Sequence, residues 1–232
     1  MVAGIIRRIG RLSLACVFAF TLFAGSALAQ EGTSKQKVLG LEVLNTFEQV
    51  VKKDGVELTI TRQELKGGAA ELERLIQNAK ATGEFIIPAN RNSKVAGSSI
   101  TYGGNGCENN SYIQACVYAT GTISVNWAGF AGFRTNGTVI QNITGKSGYD
   151  ITEQAGQPRV KAVAYGIVGG DTIIYNTYNY KASDWGTLTT FNFNESEPGL
   201  IVTVGLSMGA DFKYKLNGNW VNTTVWAPLT QQ

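Results

Sequence analysis

The chain has 232 residues, with 20 lysines and arginines against 17 acids, 44% apolar residues and no histidine. That is the size of one good domain with a real hydrophobic core. The lack of histidine excludes a serine or cysteine nucleophile with an imidazole base, and any histidine-ligated metal.

The chain starts MVAGIIRRIGRLSLACVFAFTLFAGSALAQ. Arg7, Arg8 and Arg11 are basic, Leu12 to Ala24 is an apolar run, and Ala27-Leu28-Ala29 is a small-x-small site before Gln30. This is the order of a secretory signal peptide. Residues 1–29 are therefore expected to be cleaved near Ala29-Gln30, and the mature chain to be secreted or held at the cell surface. The apolar run is short for a membrane span. Cys16 sits inside it, with too little apolar sequence ahead for a lipid-modified cysteine. Arg7-Arg8 is a weak match to a twin-arginine signal, because Gly10 and Arg11 follow where a more apolar pair belongs. Three arginines and no acid leave with the segment, so the mature chain carries 17 of each sign. A formally neutral chain argues against a nucleic-acid partner, which needs a basic face.

Residues 30–99 read as a small N-terminal α/β segment and a loop. Val38 to Val51 is expected as a strand followed by a helical turn, and Val56 to Ile60 alternates like a strand. Thr61 with Glu64 matches a capping box. Ala69 to Lys80 carries Leu72, Leu75, Ile76 and Ala79 at helical spacing, with charges of both signs elsewhere. A helix packed on a sheet fits that pattern better than a membrane-surface helix, whose polar face would be strongly basic. Gly83 ends it, and Pro88 to Ser99 reads as a long loop.

From residue 100 to 232 the composition turns to glycine, asparagine, threonine and tyrosine. The stretch GGNGCENNSYIQAC holds Cys107 and Cys116, the two cysteines outside the signal segment. In an oxidising compartment they are expected to form a disulfide stapling the start of a strand. Two cysteines alone do not make a zinc site, and their spacing is not that of a CxxC redox pair. Val117 to Trp127 alternates Val117, Ala119, Ile123, Val125 and Trp127 against Tyr118, Thr120, Thr122, Ser124 and Asn126, a half-buried strand. Further strands are expected at Thr138 to Ile143, Val160 to Val168, Thr172 to Tyr180, Gly186 to Phe193, Leu200 to Leu206 and Phe212 to Leu216. Asn217-Gly218 marks a hairpin returning through Asn219 to Trp226. With no helices between them, these strands predict a mainly β fold: an antiparallel β-sandwich or barrel-like domain.

The chemistry is sparse. No phosphate-binding glycine loop is present. Glu195 and Glu197 share a side in NESEPG, but solvated turn acids account for them as well as a paired-carboxylate centre does. No cofactor and no catalytic residue is expected, and the chain reads as no enzyme. The aromatic cluster YNTYNYKASDW places Tyr178 and Tyr180 on one strand face, beside Trp185. Such a row could stack on sugars or lipid head groups, or it could fill the core. Sequons begin at Asn109, Asn136, Asn142, Asn194 and Asn222, as an Asn- and Thr-rich composition produces by chance. The leading expectation is an exported, non-enzymatic protein that binds or assembles outside the cell. Its partners would be itself, a glycan or a membrane lipid. A β-rich pore-forming toxin, using the alternation from Tyr118 to Asn126, is the second reading. A carbohydrate-binding module using Tyr178, Tyr180 and Trp185 is the third.

Overall fold

The computed structural model describes residues 36–53, 55–88, 99–125, 132–198 and 203–232. The expected signal segment, Trp127 and most of the loop after Pro88 lie outside the described residues. The elements in chain order are β1 (Lys37–Val38), β2 (Leu41–Lys53), β3 (Val56–Lys66), α1 (Ala69–Ala81), β4 (Phe85–Pro88), β5 (Ile100–Asn109) and β6 (Ile113–Val125). They continue with β7 (Gly132–Gly145), β8 (Ile151–Val168), β9 (Thr172–Ala182), β10 (Leu188–Pro198), β11 (Thr203–Leu216), β12 (Asn219–Ala227) and β13 (Leu229–Gln231). Every ladder is antiparallel.

Two sheets result. The larger runs β1-β2-β3-β9-β8-β11-β12, with β4 on the same edge of β11 as β12; the smaller runs β10-β7-β6-β5-β13. They pack face to face as a sandwich. The segment expected to precede the β-domain instead supplies β2 and β3 to the larger sheet, and residues 35–232 form one compact unit.

Several elements run longer than their patterns suggested. Val38 to Val51 contains no helical turn: β2 continues to Lys53 because its cross-strand partners on β3 run from Leu65 back to Val56. Thr61 is mid-strand, opposite Glu48 and Thr177, and caps nothing. The helix is capped at Gly68, whose N–H donates to Glu71 Oε2 at 2.9 Å. That bond lowers the Glu71 carboxyl below its ordinary range. The two strands expected around Leu206 and Phe212 are one strand, β11. Asn217 and Gly218 both take positive φ, as a two-residue hairpin turn requires.

The core between the sheets is built by period-two burial. Val117, Ala119, Ile123 and Val125 point inward while Tyr118 is exposed. Tyr102 is fully buried and donates to the Asn136 carbonyl at 3.1 Å. Gly121 and Gly137 make room for it: a Cβ on either would sit within 2.8 Å of its hydroxyl. Buried Gln141 spans the layers, its Nε2 donating to the Gly186 carbonyl at 2.8 Å and to Thr189 Oγ1 at 3.0 Å. A second cluster lies on the outer face of the larger sheet, where Leu72, Leu75, Ile76 and Ala79 of α1 cover Leu65, Val163, Tyr165 and Ile173. Full burial of one such leucine or isoleucine stabilises by roughly 1.5–3 kcal/mol.

Candidate functional site

The helix covers only part of that outer face. Beyond it, alternation turns Asp211, Lys213 and Lys215 of β11 outward, directly opposite Thr224, Asn222 and Trp220 of β12. Trp226 stands one step further, opposite Gly209, which leaves room for its indole: a Cβ there would meet the ring at 2.7 Å. Trp185 joins them from the β9–β10 connection. Trp185, Trp220 and Trp226 are 38%, 49% and 39% exposed, so three indoles stand half in water on one face.

Cations hold these rings in place. Lys213 Nζ lies 4.4 Å from the Trp185 ring centroid and 5.5 Å from that of Trp220, a lysine between two indoles. The Arg159 guanidinium lies 5.0 Å from the Trp226 ring. Between Trp185 and β12 runs a cleft of about 320 Å³ lined by Asp211, Asn222, Thr223 and Thr224.

The polar groups of the cleft divide into engaged and available ones. Asp211 accepts Arg159 Nη1 at 2.8 and 3.1 Å and Thr224 Oγ1 at 2.8 Å, with Lys181 Nζ at 4.0 Å. Lys215 pairs with Glu153 at 3.1 Å. Among the described residues, Lys213 has no carboxylate within ion-pair distance and the exposed Asn222 amide has no hydrogen-bond partner. The exposed Asn222 amide therefore lines the cleft, and the Lys213 ammonium, seated between two indoles, stands beside it.

A second cleft of about 420 Å³ lies beyond Trp226, lined by Glu84, Lys161 and Ser207 among others. Glu84 accepts Lys161 Nζ and the Tyr165 hydroxyl, each at 3.2 Å. Burial, together with the charge of Glu84, raises the Tyr165 and Tyr175 phenols above their usual range. Ser207 stands directly opposite Lys161 in the ladder. The lysine is bound to Glu84, and an ammonium in an ion pair has no lone pair to take a serine proton. Among the described residues no group of three or more acids and cysteines is placed to hold a metal ion.

The residues singled out in the sequence separate. Cys107 and Cys116 are bonded, facing each other directly across the β5–β6 hairpin with their Cα atoms 4.1 Å apart. Tyr178 and Tyr180 do share a face, but it is the inner one. Both are 0% exposed, and Tyr178 meets Phe133 edge-on at 5.2 Å. A sugar-stacking row of Tyr178, Tyr180 and Trp185 is thus not formed, because the second sheet covers the tyrosines. Trp185 alone of the three reaches the surface. The side chains of Glu195 and Glu197 lie outside the described residues.

Trp220, Trp226 and Lys213 were not singled out in the sequence. The signal was present: the Asn217-Gly218 turn fixes the register of β12 on β11, and that register puts Trp220, Asn222, Thr224 and Trp226 on one face. No family model, no curated protein and no solved structure matches the chain.

Proposed function

We propose that this chain is an exported, non-enzymatic binding protein whose ligand is a carbohydrate, held in the cleft between Trp185 and β12. The observation that carries this reading is the half-exposed Trp185 indole lining a cleft with the exposed Asn222 amide and the Thr224 hydroxyl, with Trp220 and the Lys213 ammonium on the same sheet face beside it. A sugar ring has apolar C–H faces and a rim of hydroxyls. Indole faces stack on the first and satisfy little of the second, so a sugar site needs both kinds of group side by side. Trp185 and Trp220 would supply the stacking faces. Asn222 and Thr224 would meet hydroxyls, while Asp211 keeps its carboxylate turned to Arg159 and braces the floor.

The β-sandwich and its disulfide support a binding domain that works in an oxidising environment, and the N-terminal sequence supports export. A glycan array probed with the mature chain tests the reading, with liposome flotation and dye release in parallel. Selective glycan binding without dye release is the expected result. Liposome binding with no glycan bound would move the assignment to lipid head groups.

A further inference from the structure

The far end of the larger sheet carries a different feature. The outer edge of β2 is covered by β1 only at Leu41 and Glu42, with one more bond from the Val43 N–H to the Gln36 carbonyl at 2.9 Å. From Leu44 to Lys53 no described strand pairs with that edge. A bulge at Leu44 closes one end of the free stretch. The rest carries large apolar side chains in water, with Phe47 49% and Val50 53% exposed. Unpaired N–H and C=O groups in such a row are a template for another strand.

We infer that the β2 edge pairs antiparallel with the β2 edge of a second copy, about a two-fold axis at Val50. Charge complementarity along the outward face points to a second copy as the occupant and to a register about Val50. Glu48, Val50 and Lys52 alternate onto the same face, and in antiparallel pairing about Val50 they read acid-apolar-base against base-apolar-acid. Glu48 then faces Lys52 of the partner on both sides of the axis, and Val50 packs on its own mate. An axis at Glu48 would set two like charges opposite each other. An axis at Phe47 would drive Lys52 into the position already held by the partner's β1. Lys52 now bonds Glu57 at 2.8 Å, while Glu48 has no ion pair among the described residues. The dimer extends that pair into a chain from Glu57 through Lys52 to the second copy's Glu48. A two-fold axis perpendicular to the sheet also turns both tryptophan faces to the same side, so the dimer displays two clefts in parallel. The inference stands on the edge alone and does not depend on what the clefts bind.

Sedimentation velocity of the mature chain over a concentration series tests it. The wild type should show a monomer–dimer equilibrium. Glu48→Lys should weaken it at least tenfold, and so should Val50→Lys. The charge exchange Glu48→Lys with Lys52→Glu should restore dimerisation toward the wild-type level. A chain that stays monomeric at every concentration overturns the inference. So does a dimer indifferent to both single substitutions, or one that the charge exchange fails to rescue. Circular dichroism of each variant checks that the monomer remains folded.

Discussion

The two ends of the eight-stranded sheet manage the same problem in opposite ways. At one end β12 runs on through Pro228 into β13 and so passes from one sheet to the other. Its flank is pressed against β5, and that approach depends on glycine: a Cβ on Gly104 would stand 2.1 Å from the Pro228 carbonyl oxygen, and one on Gly106 equally close to that of Trp226. Thr223 of β12 also donates to Glu108 of β5 at 2.5 Å. At the other end β2 carries exposed apolar side chains along an edge that no described strand covers beyond Val43. The sealed end gives a fixed platform, and the tryptophan cleft stands on it. The open end leaves an edge that no described strand pairs beyond Val43. The proposed ligand cleft and the proposed dimer edge would thus lie on separate parts of one sheet.

Breaking the seal should have the largest effect. Gly106→Val places side-chain atoms against the Trp226 carbonyl and should cost about 3 kcal/mol. That is a fall in melting temperature of roughly 6–12 °C for a chain of this size, read by calorimetry. An unchanged melting temperature would mean that β5 and β12 are not in tight register. Replacing Cys107 and Cys116 together by serine opens a short loop in the unfolded chain and should cost roughly 2–3 kcal/mol. Melting the wild type with and without reductant should give the same difference.

The buried phenols set an alkaline limit away from both ends, Tyr165 and Tyr175 on the interior strands β8 and β9 and Tyr102 on the smaller sheet. Burial raises Tyr102, Tyr165 and Tyr175 above the usual value of 10.0. A raised pKa in the folded state contributes stability that is complete below pH 10, and it declines as the pH climbs past 10 toward the raised values. Urea melts from pH 8 to pH 11 should be level at first and weaken beyond 10. A level profile through pH 11 would mean that the phenols are not buried. The smallest effect belongs to the open end. Val50→Thr, measured on dilute monomer, should change stability by less than about 0.5 kcal/mol. A larger loss would show that the edge is already covered within one chain.

Much of this arrangement was legible in the sequence, and the gaps have physical reasons. Strict alternation in β6 gave its buried face correctly, and the helix was placed from its period with all four buried residues. β5 was missed as a strand because Gly103, Gly104 and Gly106 look like a loop; they are there for the approach of β12 and β13. The tyrosines were ambiguous because a shared face does not say which side the second sheet covers. That depends on pairing between distant strands, which local pattern cannot supply. The outward tryptophans of β12 went unnoticed, although the Asn217-Gly218 turn, a short-range signal, fixes the register that puts Trp220 and Trp226 on one face.

The most direct test of the central claim is a calorimetric titration of a glycan selected on the array. It would be run into the wild-type chain, into the chain carrying Trp185→Ala and Trp220→Ala, and into one carrying Asn222→Ala. The cleft predicts saturable binding to the wild type, a loss of at least tenfold in affinity on removal of the two indoles, and a smaller loss without the amide. Wild-type affinity in the chain lacking Trp185 and Trp220, or an array on which no glycan is bound, would contradict it.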